Sequence, residues 1–182
     1  ADSVGADIIS SSLGYTTFDS LLAASNNTYA SMNGKTTPCS RAATICARKG
    51  MIVCSSAGND GSPPSTNNPN PFHFISAPAD ADSIITVGAT DAEGNPASFS
   101  SYGPSYDGRI KPDVAAQGVN TTIINATTNM VRGGNGTSFS CPTIAGMTSC
   151  LWQAHPDKTN MEIIHAIHQS ASIHKFPDDR IG

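Results

Sequence analysis

Charged and aromatic side chains are both scarce in this sequence. Charged residues make up 13% of its 182 positions and aromatic residues 6%, and the formal net charge is −4. There is no Lys/Arg stripe, so neither nucleic acid nor an anionic membrane is expected as a partner. No apolar run approaches the roughly 20 residues that a membrane-spanning helix needs, so no membrane span is expected. The chain begins without a methionine or a signal-peptide pattern, so we expect a processed or excised piece of a longer protein.

Metal-binding patterns are also missing. None of the cysteine spacings matches a zinc motif. The five cysteines are Cys39, Cys46, Cys54, Cys141 and Cys150. An odd number leaves at least one thiol without a disulfide partner, and small apolar thiols are usually buried. The sequence therefore gives evidence of neither a cofactor nor a structural metal.

Short apolar runs are spread along the chain and predict buried strands. One strand is predicted in each of three segments, GADIISSSLG, MIVCSSAG and 83–88. A further buried edge of the sheet is predicted to begin at KPDVAAQG. The Pro/Asn-rich stretch 61–72 predicts a loop. Apolar runs without strict alternation are typical of strands that are covered on both faces.

Three helices are predicted between and after these strands. The first begins at Pro38 with Thr37 as its cap and ends at Gly50. The others extend over 138–155 and 160–172, where apolar residues recur at helical spacing. Helices that separate buried strands favour an α/β fold with three layers, in which helices flank a mostly parallel sheet.

A serine stands where a glycine-rich loop meets the second predicted helix. The unpaired N–H groups and the positive dipole end of a helix N-terminus favour an oxyanion forming beside Ser138. Gly133, Gly134 and Gly136 carry no side chains, which lets a substrate backbone come close. This pattern fits a nucleophile, and it fits an ordinary helix-capping serine equally well.

Two other predicted strands end in small polar residues. Asn59 follows the second strand in a tight glycine turn, where its amide could donate to a developing oxyanion or serve only the turn. The segment 12–14 follows the first strand. Parallel sheets place their sites beyond the carboxyl ends of the strands. The two strand ends and the helix start at Ser138 are therefore predicted to form one cleft.

Several ordered blocks resemble the subtilases, which are subtilisin-like serine proteases. The blocks are GADIISSSLG, IVCSSAGNDG, SIITVGATD, ASFSSYGP, KPDVAAQG and GTSFSCPTIAG, and they cover nearly the whole chain. The resemblance implies a serine endopeptidase with Ser138 as its nucleophile and Asn59 as its oxyanion-hole donor. Gln117 departs from the family pattern, which has proline at this position.

The resemblance also implies a cleft for a polypeptide substrate, with an edge that pairs with the substrate backbone, a wall of the P1 pocket and a pocket floor. The residues of these three parts are Ser12, Leu13, Gly14, Ser56, Ala57, Gly58 and Ser76. The small uncharged floor at Ser76 suits a large apolar or aromatic P1 side chain. Family members carry a cis peptide bond at the position of Ala77-Pro78.

The family's Asp and His blocks, D-[ST]-G and H-G-T, precede the first matched segment, and neither occurs in this chain. Residues 1–182 are therefore expected to be the C-terminal portion of one subtilase catalytic domain. We expect this portion to be inactive alone and to need the preceding half of the domain as its partner. Unpaired strand edges would favour self-association. Resemblance to the family further implies export from the cell.

Three other interpretations follow from the residues. A non-catalytic binding domain could retain this fold. The order Ser138, Asp157, His165 is that of an α/β-hydrolase triad, with His168 as a substitute for His165, but the G-x-S-x-G turn of that fold is absent. Glu162 shares a helix with the two histidines and could hold a metal with them, although the polar face of an amphipathic helix explains the same spacing.

Overall fold

The computed structural model describes residues 1–18, 21–22, 26–63 and 72–182. Of the loop predicted over 61–72, residues 64–71 lie outside the described residues. Among the residues described, no helix combines the length and the apolar character needed to cross a membrane.

Four strands form a parallel sheet in the order β1-β2-β3-β4. They are β1 (Ile8–Ser11), β2 (Ile52–Ser56), β3 (Ile85–Thr90) and β4 (Val114–Gln117). The register places Ile8 beside Ile52 and Val87 beside Val114. Every residue of β2 and β3 is buried, which explains why their sequences are apolar runs without alternation. Since all four strands run the same way, their carboxyl ends share one edge of the sheet.

Three helices flank the sheet: α1 (Pro38–Arg48), α2 (Thr137–Ala154) and α3 (Asn160–Ser170). Thr37 caps α1 by accepting a hydrogen bond from the Ser40 N–H at 3.2 Å, and Pro38 occupies the first turn as predicted. At α3, Thr159 and Glu162 cap each other's backbone groups reciprocally. These caps place the helix starts where the sequence predicts them.

The helices bury both faces of the sheet. On one face, Ala43 of α1 packs with Val53, Ala81 and Ile84. On the other, α2 and α3 cover the larger core, whose members include Ile52, Cys54, Ile85, Val87, Ile144, Ile163 and Ile167. The predicted class, a three-layer α/β fold with a parallel sheet, is confirmed.

The structure adds a two-stranded antiparallel sheet that the sequence does not predict. Strand β5 (Thr121–Ile124) pairs with β6 (Val131–Gly134), with Thr121 beside Gly134. The glycine-rich segment before Ser138 is therefore the second strand of a hairpin, where the sequence predicts a loop. Its position is set by Asn135, whose Oδ1 accepts a hydrogen bond from the Asn120 N–H at 2.7 Å. The Ala77-Pro78 peptide bond is cis, as expected.

His168 on α3 makes the stability of the fold depend on pH. Burial lowers the pKa of His168, and Lys111, His165 and His174 lower it further while Asp113 opposes them. Its Nε2 is buried without a hydrogen-bond partner among the described residues. The folded protein thus favours the neutral ring, whereas the unfolded chain binds a proton below about pH 6.5.

We expect the free energy of unfolding to fall as the pH drops below about 6.5, because the unfolded state then binds the extra proton. The slope from this one group is at most about 1.4 kcal/mol per pH unit, and the contribution is fully lost below the folded pKa. Urea unfolding of the wild type and His168→Leu between pH 7.5 and 5 measures the difference. His155→Leu, at an exposed position directly after α2, is the control. Equal slopes for wild type and His168→Leu would contradict the assignment.

Candidate active site

A polar pocket of about 250 Å³ opens at the carboxyl ends of β1 and β2, beside the N-terminus of α2. Its lining residues are Ser12, Gly14, Thr16, Ser56, Gly58, Asn59, Asp60, Ser76, Thr137 and Ser138. Asn59 and Ser138, far apart in the sequence, therefore line the same cavity. The pocket lies at the edge of the sheet where the two polar strand ends and the helix start at Ser138 were expected to meet.

The Asn59 side chain is held in one orientation by Thr137. Asn59 Oδ1 accepts hydrogen bonds from the Thr137 backbone N–H at 2.9 Å and from Thr137 Oγ1 at 3.0 Å. A backbone N–H can only donate, so the atom that faces it must be the amide oxygen. The opposite end of the amide, Nδ2, is thereby left to donate elsewhere, and Asn59 as a whole is exposed.

Two potential donors lie around the same empty position beside Gly136. A Cβ atom placed on Gly136 would lie 3.6 Å from Asn59 Nδ2 and 3.7 Å from the Ser138 nitrogen. Gly136 has φ +152° and ψ 148°, a conformation that glycine adopts most readily. Ser138 is the second residue of α2, where backbone N–H groups have no acceptor within the helix. The Asn59 amide group, whose Oδ1 lies 3.8 Å from the same point, and the Ser138 nitrogen therefore border one position of the pocket.

Contacts with β1 and the segment after it fix the start of α2. The half-buried Ser138 has its carbonyl oxygen bonded to Ser12 Oγ at 3.1 Å. One turn further along, the Cys141 thiol donates to the Ser11 carbonyl oxygen at 3.6 Å. These two contacts hold the N-terminus of α2 against the carboxyl end of β1, so the position of Ser138 does not depend on its own loop alone.

Gly14, Gly58 and Ser76 crowd together in the inner part of the pocket. A Cβ on Gly58 would lie 3.1 Å from Ser76 Oγ and 2.7 Å from Ser101 Oγ, and a Cβ on Gly14 would collide with Ser76 Oγ. The Ser76 N–H donates to the Ala57 carbonyl oxygen at 3.1 Å. The glycines thus make room for a serine hydroxyl between the two walls.

Two residues predicted in the cleft lie outside the pocket lining. Ala57 is fully buried, and its side chain packs with Ile75 and Ala79, so it meets the site only through its backbone. Leu13 is 59% exposed, between the lining residues Ser12 and Gly14. Both positions belong to segments that border the pocket.

Thr16, Asp60 and Thr137 line the pocket and were not singled out from the sequence. Asp60 and Thr137 stand next to Asn59 and Ser138, so proximity to the recognised motifs could have found them. Thr16 carries no such signal, because its position depends on the path of the chain beyond Gly14. Burial raises the pKa of the Asp60 carboxyl.

The acid and the histidines of the alternative triad lie away from Ser138, and the nearby thiol of Cys141 is shielded. Cys141 is fully buried, and burial raises the pKa of its thiol. His165 and His168 line a separate cavity with residues that precede β3 and β4, at the amino end of the sheet. Asp157 lies beyond the far end of α2 from Ser138. These side chains do not assemble around Ser138.

Among the described residues, the candidate ligands on α3 do not form a metal site. Glu162 accepts hydrogen bonds from the Thr159 backbone N–H and hydroxyl, which lowers the pKa of its carboxyl. Within the described part of the chain, no group of three or more His, Cys, Asp or Glu side chains could hold a metal ion.

A serine and a carboxamide thus lie together at the N-terminus of a helix, beyond the carboxyl ends of a parallel sheet, which is the arrangement that the resemblance to α/β serine hydrolases of the subtilase type implies. Comparisons with known proteins identify the same family that the sequence motifs resemble. The sequence profile of the subtilase family matches residues 2–182. The chain belongs to the subtilase family, peptidase family S8, whose members are serine proteases.

Individual relatives show how much of a subtilase the chain represents. Serine protease AprX of Bacillus subtilis (strain 168) is 30% identical over 164 residues, which cover 79% of this chain and 35% of AprX. Subtilisin NAT of Bacillus subtilis subsp. natto is 32% identical over 123 residues, covering 68% of this chain and 29% of that protein. The chain thus spans about a third of the length of these relatives.

Solved structures share the fold. The self-cleaved protease domain of PatA superposes with a TM-score of 0.71 at 22% identity, over 100% of this chain and 61% of that one. MycP1 from Mycobacterium smegmatis gives a TM-score of 0.69 at 25% identity, over 99% of this chain and 48% of that one.

Proposed function

We propose that the chain supplies the nucleophile and the oxyanion hole of a serine endopeptidase. The observation that carries this proposal is the pair of donors beside Gly136, Asn59 Nδ2 and the Ser138 N–H, next to the serine of the family's nucleophile motif. Two fixed donors at one position suit the negative charge that develops on a carbonyl oxygen during acyl transfer. Thr137 acts as a positioning residue, because it holds the Asn59 amide in the required orientation.

In this mechanism Ser138 Oγ forms a bond to the carbonyl carbon of a peptide, and its proton passes to a histidine base. The carbonyl oxygen becomes an oxyanion between Asn59 Nδ2 and the Ser138 N–H. The same proton then leaves with the amine as the C–N bond breaks, and water hydrolyses the resulting ester by the same steps in reverse order.

The segment 12–14 is proposed to pair with the substrate backbone. Within the described part of the chain, its N–H and C=O groups make no backbone hydrogen bonds, whereas the next residue, Tyr15, donates to the Ala77 carbonyl oxygen at 2.9 Å. Free groups of this kind can add an extended peptide as a further strand. The exposed Leu13 side chain lies at the centre of this segment.

The histidine and the aspartate are proposed to come from the preceding half of the same domain. Among the described residues, strand β1 is an edge of the sheet and is paired on one side only. Thr143, Gly146 and Cys150, at helical spacing on α2, are exposed, and Met147 beside them is 46% exposed. A largely apolar helix with such an open side suits burial by another layer. Export from the cell is proposed on family resemblance alone.

Asn59→Ala in the full-length protein tests the oxyanion hole. We expect kcat to fall by about 10²–10³-fold with little change in KM, the size measured when the oxyanion asparagine of subtilisin is removed. The asparagine acts on the transition state, so substrate binding should be spared. Hydrolysis of a peptide p-nitroanilide provides both constants.

Asn95→Ala, in a turn after β3 that is remote from the pocket, is the matched control. An unchanged kcat for Asn59→Ala would rule out the proposed role. A full-length protein that neither hydrolyses peptides nor reacts with a fluorophosphonate would favour the non-catalytic binding domain.

A further inference from the structure

Ser101 makes hydrogen bonds on both sides of Asn59. The Ser101 backbone N–H donates to the Gly58 carbonyl oxygen at 3.0 Å. The Ser101 Oγ accepts a hydrogen bond from the Asp60 backbone N–H, also at 3.0 Å. Asn59 is the residue between these two contacts. The turn that carries the proposed oxyanion donor is therefore held at both neighbouring residues by one serine from another part of the chain.

The close contact between Ser101 and the turn depends on a glycine. A Cβ atom on Gly58 would lie 2.7 Å from Ser101 Oγ, too close for a side-chain carbon, and Gly58 has φ +117°. Ser101 itself is fully buried. The serine and the turn are thus packed directly against each other, so a change at the serine displaces the turn.

The segment that contains Ser101 is itself fixed to the sheet. The Ala97 N–H donates to the carbonyl oxygen of Ala89 in β3 at 2.8 Å. Two residues before Ser101, the Phe99 carbonyl oxygen accepts a hydrogen bond from the Gly61 N–H at 2.9 Å. Hydrogen bonds therefore connect β3, through this segment, to the turn.

Ser101 and Thr137 fix different parts of the turn. Thr137 contacts the side-chain amide of Asn59 and the backbone of Gly58. On the other side of Asn59, the backbone N–H of Asp60 is held by Ser101 Oγ. An oxyanion donor must point at the developing charge and be held to within about 0.5 Å, so both constraints contribute to the position of Nδ2.

We propose that Ser101 is a positioning residue for the oxyanion hole, which holds the turn so that Asn59 Nδ2 faces the substrate carbonyl oxygen. The Ser101 side chain is buried and lies outside the pocket lining, so it acts through Asn59 and not on the substrate. This inference rests on the proposed function, since it names a residue that supports the same site. Loss of the hydroxyl lowers kcat and spares KM, because the Asn59 donor acts on the transition state.

Ser101→Ala in the full-length protein removes the hydroxyl and little else. We expect kcat per titrated active site to fall by about tenfold, less than the loss of about 10²–10³-fold expected for Asn59→Ala, with KM unchanged to within about twofold. In an Asn59→Ala background, Ser101→Ala should have no further effect on kcat, because the amide through which it acts is gone. Hydrolysis of a peptide p-nitroanilide measures both constants.

Ser105→Ala is the matched control. Ser105 is also buried, and its Oγ accepts a hydrogen bond from the Arg109 backbone N–H at 3.0 Å, outside the pocket lining. This replacement should lower the free energy of unfolding in urea, as Ser101→Ala does, and leave kcat unchanged. Ser101→Cys keeps an atom in the same place that accepts hydrogen bonds only weakly, so the test stands if Ser101→Ala does not fold. It should lower kcat by a smaller factor.

Two results would overturn the positioning role while leaving the protease proposal intact. One is a wild-type kcat in folded Ser101→Ala or Ser101→Cys. The other is an equal loss of kcat from Ser101→Ala with and without the Asn59 amide, which indicates a general structural effect. A wild-type protein that neither cleaves the substrate nor reacts with a fluorophosphonate would overturn both proposals.

Discussion

Replacement of Ser138 by alanine is expected to lower kcat of the full-length protein for a peptide substrate by about 10⁶-fold, with little change in KM. The Ser138 oxygen forms the bond to the substrate, so no other group can substitute for it. The magnitude is that observed when the nucleophile of subtilisin is removed, where binding and the oxyanion hole alone leave a small residual rate. Steady-state hydrolysis of a peptide p-nitroanilide, with an active-site titration of the wild type, measures the loss.

Ser140→Ala provides a neighbouring control. Ser140 lies on the same helix but is fully buried, and its hydroxyl donates to the Thr137 carbonyl oxygen at 3.1 Å. A fluorophosphonate should therefore label the wild type and Ser140→Ala and fail to label Ser138→Ala. Mass spectrometry of the labelled peptide identifies the modified serine. Labelling at any serine other than Ser138 would contradict the assignment of the nucleophile.

The sequence predicts the sheet well because burial and periodicity agree along it. Strands β2 and β3 are buried at every position, so their runs of apolar residues stand out. The hairpin of β5 and β6 escapes prediction because its second strand, Val131–Gly134, ends in two glycines and is largely exposed. Its strand conformation comes from pairing with Thr121–Ile124, a contact that local sequence does not encode.

The candidate site likewise contains some residues that the local sequence indicates and others that it does not. Ser138 and Asn59 stand in motifs whose local structure, a helix start and a glycine turn, already indicates their chemistry. Asp60 depends on which way the chain turns after Asn59, and Thr16 depends on the path of a loop, so neither could be placed without coordinates. Ala57 belongs to the wall segment, but strand geometry directs its side chain into the core.

The outer edge of β1 and the exposed side of α2 predict how the chain behaves when it is produced alone. In the described part of the chain, β1 is unpaired on its outer edge and the side of α2 around Gly146 is exposed, so the isolated chain should self-associate. Sedimentation velocity over a range of concentrations measures this. Adding the proposed preceding half, produced separately, should convert the oligomers to a one-to-one complex.

The same isolated chain is expected to hydrolyse peptide esters at a rate no higher than that of its Ser138→Ala variant, because no histidine lines the pocket beside Ser138 in the part of the chain that the structure describes. A serine hydroxyl at its ordinary pKa needs such a base to become a competent nucleophile. His155 follows the far end of α2, roughly 25 Å from Ser138 at 1.5 Å per residue. The His73 ring packs against the rings of Phe74 and Tyr102, with centroids 4.0 and 4.8 Å apart.

Addition of the proposed preceding half, which by family resemblance should carry an H-G-T block, is expected to restore hydrolysis, and the same half with that histidine changed to alanine should not. The histidine and alanine versions of the preceding half should bind the chain equally. Comparing them therefore distinguishes the absence of a base from a general failure to fold. Serine-dependent turnover by the chain alone at ordinary protease rates would show that one of its own histidines serves as the base. His73→Ala would then be the first variant to measure, because His73 lies three residues before Ser76 of the pocket lining, whereas His165 and His168 line a cavity at the other end of the sheet.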